Sequence, residues 1–293
     1  MPLHPEIRFV NVDALTYAGK LENIDPAVSQ AKNYAFERVD IRDKAALRRT
    51  YERYVPTDIV HFAAESHVDN SIKNPGLFTE TNIFGTQNLL DLHREFRLGR
   101  FHHISTDEVY GDIPDSGFFT ESTPIDPSSP YSASKAGSDL LVKAYGRTFG
   151  IDYVITRCSN NYGPNQDSEK LIPHFIGLLR SGKPVTVYGD GSNVRDWLYV
   201  GDHCDAIWKV FREAKTKSVY NIGGNNEYTN LEITRIILAA MGKDDSHISF
   251  VADRPGHDKR YAIDAGKIRR ELGWVPKIPF ETGIVSTMEF YTQ

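Results

Sequence analysis

A short, nearly unbroken apolar run at 58–64 lies between two helical stretches, 44–54 and 75–96. An apolar run without alternation predicts a strand covered on both faces. The rhythm continues on either side, with strands expected at 7–12, 34–39, 101–104 and 153–157 and a helix at 131–149. Leu47 and Tyr51 share one face of the helix at 44–54, and Ile83, Leu89, Leu90 and Leu92 supply apolar positions at 75–96. Strands alternating with helices predict an α/β fold: a Rossmann-like, doubly wound parallel sheet with helices on both faces. Such sheets take ligands at the carboxyl ends of their strands.

After Asn161 the pattern changes to dense turns: Tyr162-Gly163-Pro164-Asn165, Ser181-Gly182-Lys183-Pro184 and Gly189-Asp190-Gly191. Helices are expected at 171–180, 202–214, 231–241 and 265–272, with short strands between them. This predicts a smaller α/β substrate-binding lobe over the ligand face of the first. The expected division is 1–160 with about 194–212 in the dinucleotide-binding lobe, and 161–193 with 213–293 in the other.

A dinucleotide-binding sheet starts with a strand, a Gly-rich turn and a helix. No such turn follows the first strand here; the chain reads Val10-Asn11-Val12-Asp13-Ala14-Leu15-Thr16-Tyr17-Ala18-Gly19. An acid ending a strand is what this fold uses on its second strand, for the adenosine ribose. The expectation is a chain that starts at or just before strand two, its first βα unit missing, roughly 20–30 residues by usual element lengths.

With 40% hydrophobic and 25% charged residues among 293, the chain has material for a sizeable core. A formal net charge of −5 and no long basic run argue against nucleic acid as partner. No 18-residue apolar run and no basic-then-apolar leader occur, so neither a membrane span nor a secretory signal is expected. Cys158 and Cys204 lack metal spacing and read as buried thiols of a reducing compartment, the cytoplasm. His102-His103 resembles a metal pair, but adjacent strand residues face opposite ways; one core and one polar histidine are expected, and no metal.

The chemistry concentrates between Phe101 and Lys135. Ser105-Thr106-Asp107-Glu108 follows an apolar strand, and Tyr131-Ser132-Ala133-Ser134-Lys135 opens a helix. Tyr131 and Lys135 lie one turn apart on one face. An ammonium beside a phenol favours the phenolate, so Lys135 is expected to lower the Tyr131 pKa and make it a base. Adjacent carboxylates repel, which separates their apparent pKa values into an acid and a base. Each part has a plainer reading. Ser129 before Pro130 is a helix cap, Asp13 and Asp40 can cap turns, and an Arg on a loop is commonly solvated.

Taken together, the residues resemble the extended short-chain dehydrogenase/reductase family that modifies nucleotide sugars, in the branch whose members dehydrate dTDP-glucose. The matching stretches are Val12–Gly19, His61-Phe62-Ala63-Ala64-Glu65-Ser66-His67-Val68-Asp69, Ile104–Gly111, Ser128–Lys135, Cys158–Pro164, Glu169-Lys170-Leu171-Ile172-Pro173, Arg195-Asp196-Trp197-Leu198-Tyr199-Val200, Tyr220-Asn221-Ile222-Gly223-Gly224 and Asp253–Asp264. The Asp-Glu pair directly after Ser-Thr is the most specific sign; similar epimerases lack it.

The resemblance implies NAD as cofactor and dTDP-glucose as substrate. It implies catalytic roles for Thr106, Asp107, Glu108, Tyr131 and Lys135. Cofactor contacts would come from Asp13, Ala14, Leu15, Thr16, Asp40, Ile41, Phe62, Ala63, Ala64, Ser66, Thr81, Tyr131, Lys135 and Asn161. Substrate contacts would come from Ser66, Thr106, Asn160, Lys170, Leu171, Thr186, Val187, Tyr188, Arg195, Asn230, Arg254 and His257, with Arg195 clamping the diphosphate. It also implies a homodimer through a four-helix bundle of 75–96 and 131–149, and a product that feeds rhamnose and other deoxysugars. The alternatives are another nucleotide-sugar dehydratase, an epimerase or decarboxylase, or a truncated chain that holds NAD poorly.

Overall fold

In the computed structural model, which describes residues 4–113 and 116–293, the first half alternates as its apolar rhythm requires. It runs β1 (Phe9–Asp13), α1 (Pro26–Ser29), β2 (Tyr34–Arg38), α2 (Lys44–Tyr54), β3 (Ile59–His61), α3 (Val68–Lys73), α4 (Pro75–Phe78), α5 (Thr86–Glu95), β4 (Arg100–Thr106), α6 (Pro130–Thr148) and β5 (Asp152–Cys158). The second half has β6 (Asn160–Tyr162), α7 (Leu171–Arg180), β7 (Val185–Tyr188), β8 (Val194–Tyr199), α8 (Val200–Glu213), β9 (Ser218–Ile222), β10 (Glu227–Thr229), α9 (Asn230–Ala240), β11 (Ile248–Val251), α10 (Gly266–Leu272) and α11 (Phe280–Thr292).

The main sheet is parallel, in the order β3-β4-β5-β9, and β1 pairs in parallel with β2. Both groups of strands share one core, in which Val12 and Val39 meet Ile59, Leu90 and Phe101. Mixed α/β layers around parallel strands make the fold Rossmann-like. A second core, around Ile172, Phe175, Ile176, Trp197, Ile233 and Phe280, fills the smaller lobe. A third joins β5 and β9 to α8 and α10 through Val154, Tyr220, Ala206, Val210 and Ile268. The strand β9, within the stretch expected for the smaller lobe, therefore belongs to the main sheet.

Helix packing sets the spacing of the elements that carry the site. Ser129 caps α6 in a reciprocal capping box with Ser132, and Pro130 occupies the first turn. A π-helical segment, Thr79–Gly85, joins α4 to α5, so the helix expected at 75–96 is continuous but locally widened. A Cβ on Gly85 would lie 2.5 Å from Ile41 Cδ1, which explains why only glycine lets this segment approach the core.

Several expectations need correction. The strand at 58–64 is shorter and half-exposed: only Ile59–His61 pairs, on the β4 side alone, and Phe62 is 58% exposed beyond the ladder. His102 and His103 do face opposite ways, but helices cover both faces of β4, so both are buried. Their Nε2 atoms lie 3.1 Å from Thr156 Oγ1 and Ser138 Oγ respectively. Cys204 is exposed, because its turn of α8 faces outward. α3 and α11 were not expected; α3 is short, and the Gly and Thr residues in α11 mask its apolar face.

Phe101 sits at 0% exposure, its ring edge-on to His61 and His93. Phe101→Ala should lower the unfolding free energy by about 3–5 kcal/mol in urea titration. A loss below about 1 kcal/mol would show that this part of the core collapses around the gap.

Candidate active site

The carboxyl end of β4 carries Thr106, and the chain then tightens into a 3-10 turn, Asp107–Tyr110. Thr106 caps the turn: its Oγ1 accepts from the Glu108 amide at 3.2 Å and donates to Asp107 Oδ1 at 3.3 Å. Asp107 is 2% exposed and its Oδ2 has no hydrogen-bond partner. Burial, reinforced by the negative charges of Glu108 and Asp196, holds its carboxyl protonated well above the usual range. Burial also raises Glu108, but there the cations Arg195, Arg254 and Lys170 oppose it. Of the two, Asp107 is the more strongly held protonated, because no comparable set of cations opposes its burial.

Tyr131 and Lys135 come from the first turns of α6, both buried. The Lys135 ammonium donates to the Ile104 carbonyl at 2.7 Å. Burial lowers its pKa to about 8, opposed by Asp139 and by Cys158. The expected lowering of the Tyr131 pKa is not what the structure gives. Burial, with Glu108 and Cys158 next in size, pushes the phenol well up, and the nearby Thr106 hydroxyl only partly offsets it. Desolvation dominates because Lys135 points its charge at a carbonyl.

At the tips of β1 and β2 the acids are engaged locally. Asp13 Oδ1 accepts from the Leu15 amide at 2.7 Å, with Leu15 at φ 51°. Ala14 gives its carbonyl to Arg38 at 3.4 Å, and Thr16 gives its own to Gly19. Asp40 grips Arg42 through both oxygens, at 2.7–3.1 Å. Ile41 points into the core rather than outward. Ala63 and Ala64 are half-buried beyond β3, and Thr81 is half-buried on the π-helical segment. Asn161 donates to Cys158 Sγ at 3.2 Å while its buried Oδ1 has no partner.

Contacts between lobes gather the remaining residues. Lys170 Nζ donates to the Ser66 carbonyl at 3.1 Å. Tyr188 donates to Asp69 Oδ2 at 3.0 Å, and Arg254 to Asp69 Oδ1 at 3.1 Å. His257 Nδ1 lies 2.6 Å from Asp253 Oδ1. Asp69 was missed as a site residue, although it closes one of the most distinctive stretches of the sequence. Along β7 exposure alternates, so Thr186 and Tyr188 face out while Val187 is buried in the smaller core, where Leu171 also packs. Asn160 opens β6 and Asn230 opens α9. Arg195, expected as a diphosphate clamp, is 4% exposed and donates to the carbonyls of Val194, Asp258 and Lys259. Its guanidinium lies over the Tyr261 ring at 4.2 Å, so here it braces the loop that carries Arg254 and His257.

These residues fit a dinucleotide at both ends. The exposed Asp13 lies at one strand tip, the small Ala63 and Ala64 at the next, and the unpartnered Asn161 Oδ1 follows β5. Among the described residues no three His, Cys, Asp or Glu side chains converge on a point where a metal ion would be held.

Residues 4–287 match the family described as GDP-mannose 4,6 dehydratase. A dTDP-glucose 4,6-dehydratase of Salmonella typhimurium is 51% identical over 307 residues, covering 96% of this chain and 85% of its own length. The structure of DesIV, a dTDP-glucose 4,6-dehydratase from Streptomyces venezuelae solved with NAD and dTDP, superposes with a TM-score of 0.95 at 49% identity. The match covers 99% of this chain and 89% of that one. A UDP-glucose 4-epimerase of Thermus thermophilus, in complex with NAD, gives a TM-score of 0.91 at 32% identity, covering 99% and 93%.

Because the folded state raises the pKa of Asp107, the native protein keeps a proton that the unfolded chain releases above about pH 3.9. Wild-type stability is thus full below that pH and is lost as pH rises toward the folded pKa. Asp107→Asn removes the loss, so the variant's melting temperature should exceed wild type by a margin that grows as pH rises above about 4. A constant margin in thermal melts would refute a buried, protonated Asp107.

Proposed function

We propose, from the premise that the chain belongs to the GDP-mannose 4,6 dehydratase family, that it is an NAD-dependent hydro-lyase converting dTDP-glucose to dTDP-4-keto-6-deoxyglucose and water. The observation that carries this reading is the acid pair at the end of β4, Asp107 closed in with an unpartnered oxygen and Glu108 next to it facing the cations Arg195, Arg254 and Lys170. Oxidation at C4 alone, as in an epimerase, has no use for such a pair.

Tyr131 takes the proton of the C4 hydroxyl, and Thr106 hydrogen-bonds the C4 oxygen. Lys135 holds its positive charge one helical turn away, on the Ile104 carbonyl. Bound NAD supplies the hydride acceptor for C4, the hydride for C6, and a positive ring charge that opposes the burial holding Tyr131 protonated. A 4-keto group acidifies the C5 hydrogen, and Glu108 removes it. Asp107 gives its proton to the departing C6 hydroxyl, which leaves as water. As hydride reaches C6, Glu108 returns a proton to C5, and the proton taken up by Tyr131 offsets the one given by Asp107, so proton, hydride and water balance within one turnover and no second redox substrate is consumed.

Asp13, Ala14, Leu15 and Thr16 would meet the adenosine ribose, and Asp40 the adenine. Phe62, Ala63, Ala64 and Ser66 would line the middle, and Thr81 with Asn161 the nicotinamide half. Asn160, Lys170, Tyr188, Arg254 and His257 would hold the nucleotide sugar, with Asp69 aligning Tyr188 and Arg254. The proposed lobes are 1–160 with about 194–212 for the cofactor, and 161–193 with 213–293 for the substrate, β9 excepted. The free thiols Cys158 and Cys204 support a reducing, cytoplasmic setting. No described helix is long and apolar enough to cross a membrane.

A homodimer through 75–96 and 131–149 is supported by two outward-facing apolar side chains, Phe84 at 56% and Leu140 at 55% exposure. Sedimentation should find wild type at twice the chain mass and Phe84→Asp with Leu140→Asp at the chain mass. A monomeric wild type would end the dimer reading.

Incubated with dTDP-glucose in heavy water, the protein should release a sugar absorbing as a 4-ketose in alkali and carrying one deuterium at C5. Tyr131→Phe should lower kcat by on the order of 10²–10⁴. Turnover of another nucleotide sugar but not of dTDP-glucose would overturn the substrate assignment.

A further inference from the structure

Beneath the reacting groups lies a charged cluster to which the steps above assign no part. Asp139 follows Lys135 by one turn of α6 and is fully buried. Its Oδ2 accepts from Arg157 Nε on β5 at 2.9 Å, and its Oδ1 lies 3.4 Å from His103 Nε2 on β4. Arg157 is 1% exposed, and its guanidinium carbon sits 4.7 Å from the centre of the Tyr110 ring. Tyr110 ends the turn that carries Asp107 and Glu108. On its other contacts that ring stacks on Phe119 at 5.0 Å, and its hydroxyl donates to Asn221 Oδ1 at 2.8 Å.

We propose that Arg157 is a positioning residue for the dehydration: held by Asp139 of α6 and lying on Tyr110 of the acid turn, it fixes Asp107 and Glu108 relative to Tyr131 and Lys135. The inference rests on the reaction proposed above, because only that reaction uses both halves on one sugar ring. Tyr131 must reach the C4 oxygen while Glu108 reaches the C5 hydrogen and Asp107 the C6 oxygen. The two halves ride on separate elements, a helix and a turn, and misplacement by about 1 Å can lower a rate by on the order of 10²-fold. Burying an ion pair is a poor way to stabilise a fold. A flat guanidinium between a carboxylate and an aromatic face supplies what an apolar pair of the same volume lacks, a fixed orientation to both partners.

Arg157→Lys keeps a charge opposite Asp139 but has no flat face for Tyr110. Tyr110→Leu leaves the Arg157–Asp139 pair intact and removes the ring. In both, kcat for dTDP-glucose should fall about tenfold or more, with KM within about threefold of wild type. Elimination should lag oxidation, so that the absorbance of enzyme-bound reduced cofactor builds up during turnover. Lower melting temperatures with wild-type kcat and no such absorbance would make Arg157 merely structural and overturn the inference. If Arg157→Lys does not fold, Tyr110→Leu decides by the same readouts. A wild-type protein that does not turn over dTDP-glucose overturns the proposed reaction and this inference with it; an active wild type whose variants keep its kcat overturns only the inference.

Discussion

Two carboxyl groups stand side by side at the inner end of a buried strand, and water is kept from one of them. Asp107 is closed in with an unpartnered oxygen, next to a second acid and near a third, Asp196. An ionised carboxylate in such a place is opposed by both desolvation and repulsion, so the group stays neutral instead. Asp196 is satisfied differently, by the amides of Gly224 and Asn226 at 2.9 and 2.6 Å. The rest of the site is arranged around this imbalance.

The cations that oppose the rise at Glu108 come from segments distant in sequence: Arg195 from β8, Arg254 from the segment after β11, and Lys170 from the start of α7. None belongs to the strand that carries the acids. The difference between the two acids is therefore set by tertiary packing, while the order of residues on the turn supplies only the pair. The same packing brings Asp69 to Tyr188 and Arg254, which ties the first lobe to the loop of the second.

Much of the fold was legible because it rests on local rules. The helix Lys44–Tyr54 and the helix Leu171–Arg180 were found to the residue, since apolar spacing and turn chemistry mark both ends. The start of α6 followed from Ser129 and Pro130. The edge character of β3 was not legible, because an apolar run gives no information on how many neighbours will pair with it. The π-helical segment was hidden too, since its widening answers to the fit of Gly85 against Ile41, far away in sequence.

In the site the division is similar. Sequence alone determined which residue types stand at the end of β4 and at the start of α6, because motif order and helical spacing are local. It also suggested that the two acids would split their proton, since adjacency guarantees repulsion. Only the tertiary structure decided how strongly burial favours the proton on Asp107, that burial outweighs Lys135 at the Tyr131 phenol, and that Arg195 faces carbonyls. Those outcomes depend on desolvation and on charges contributed by distant segments, and neither quantity exists until the chain has folded.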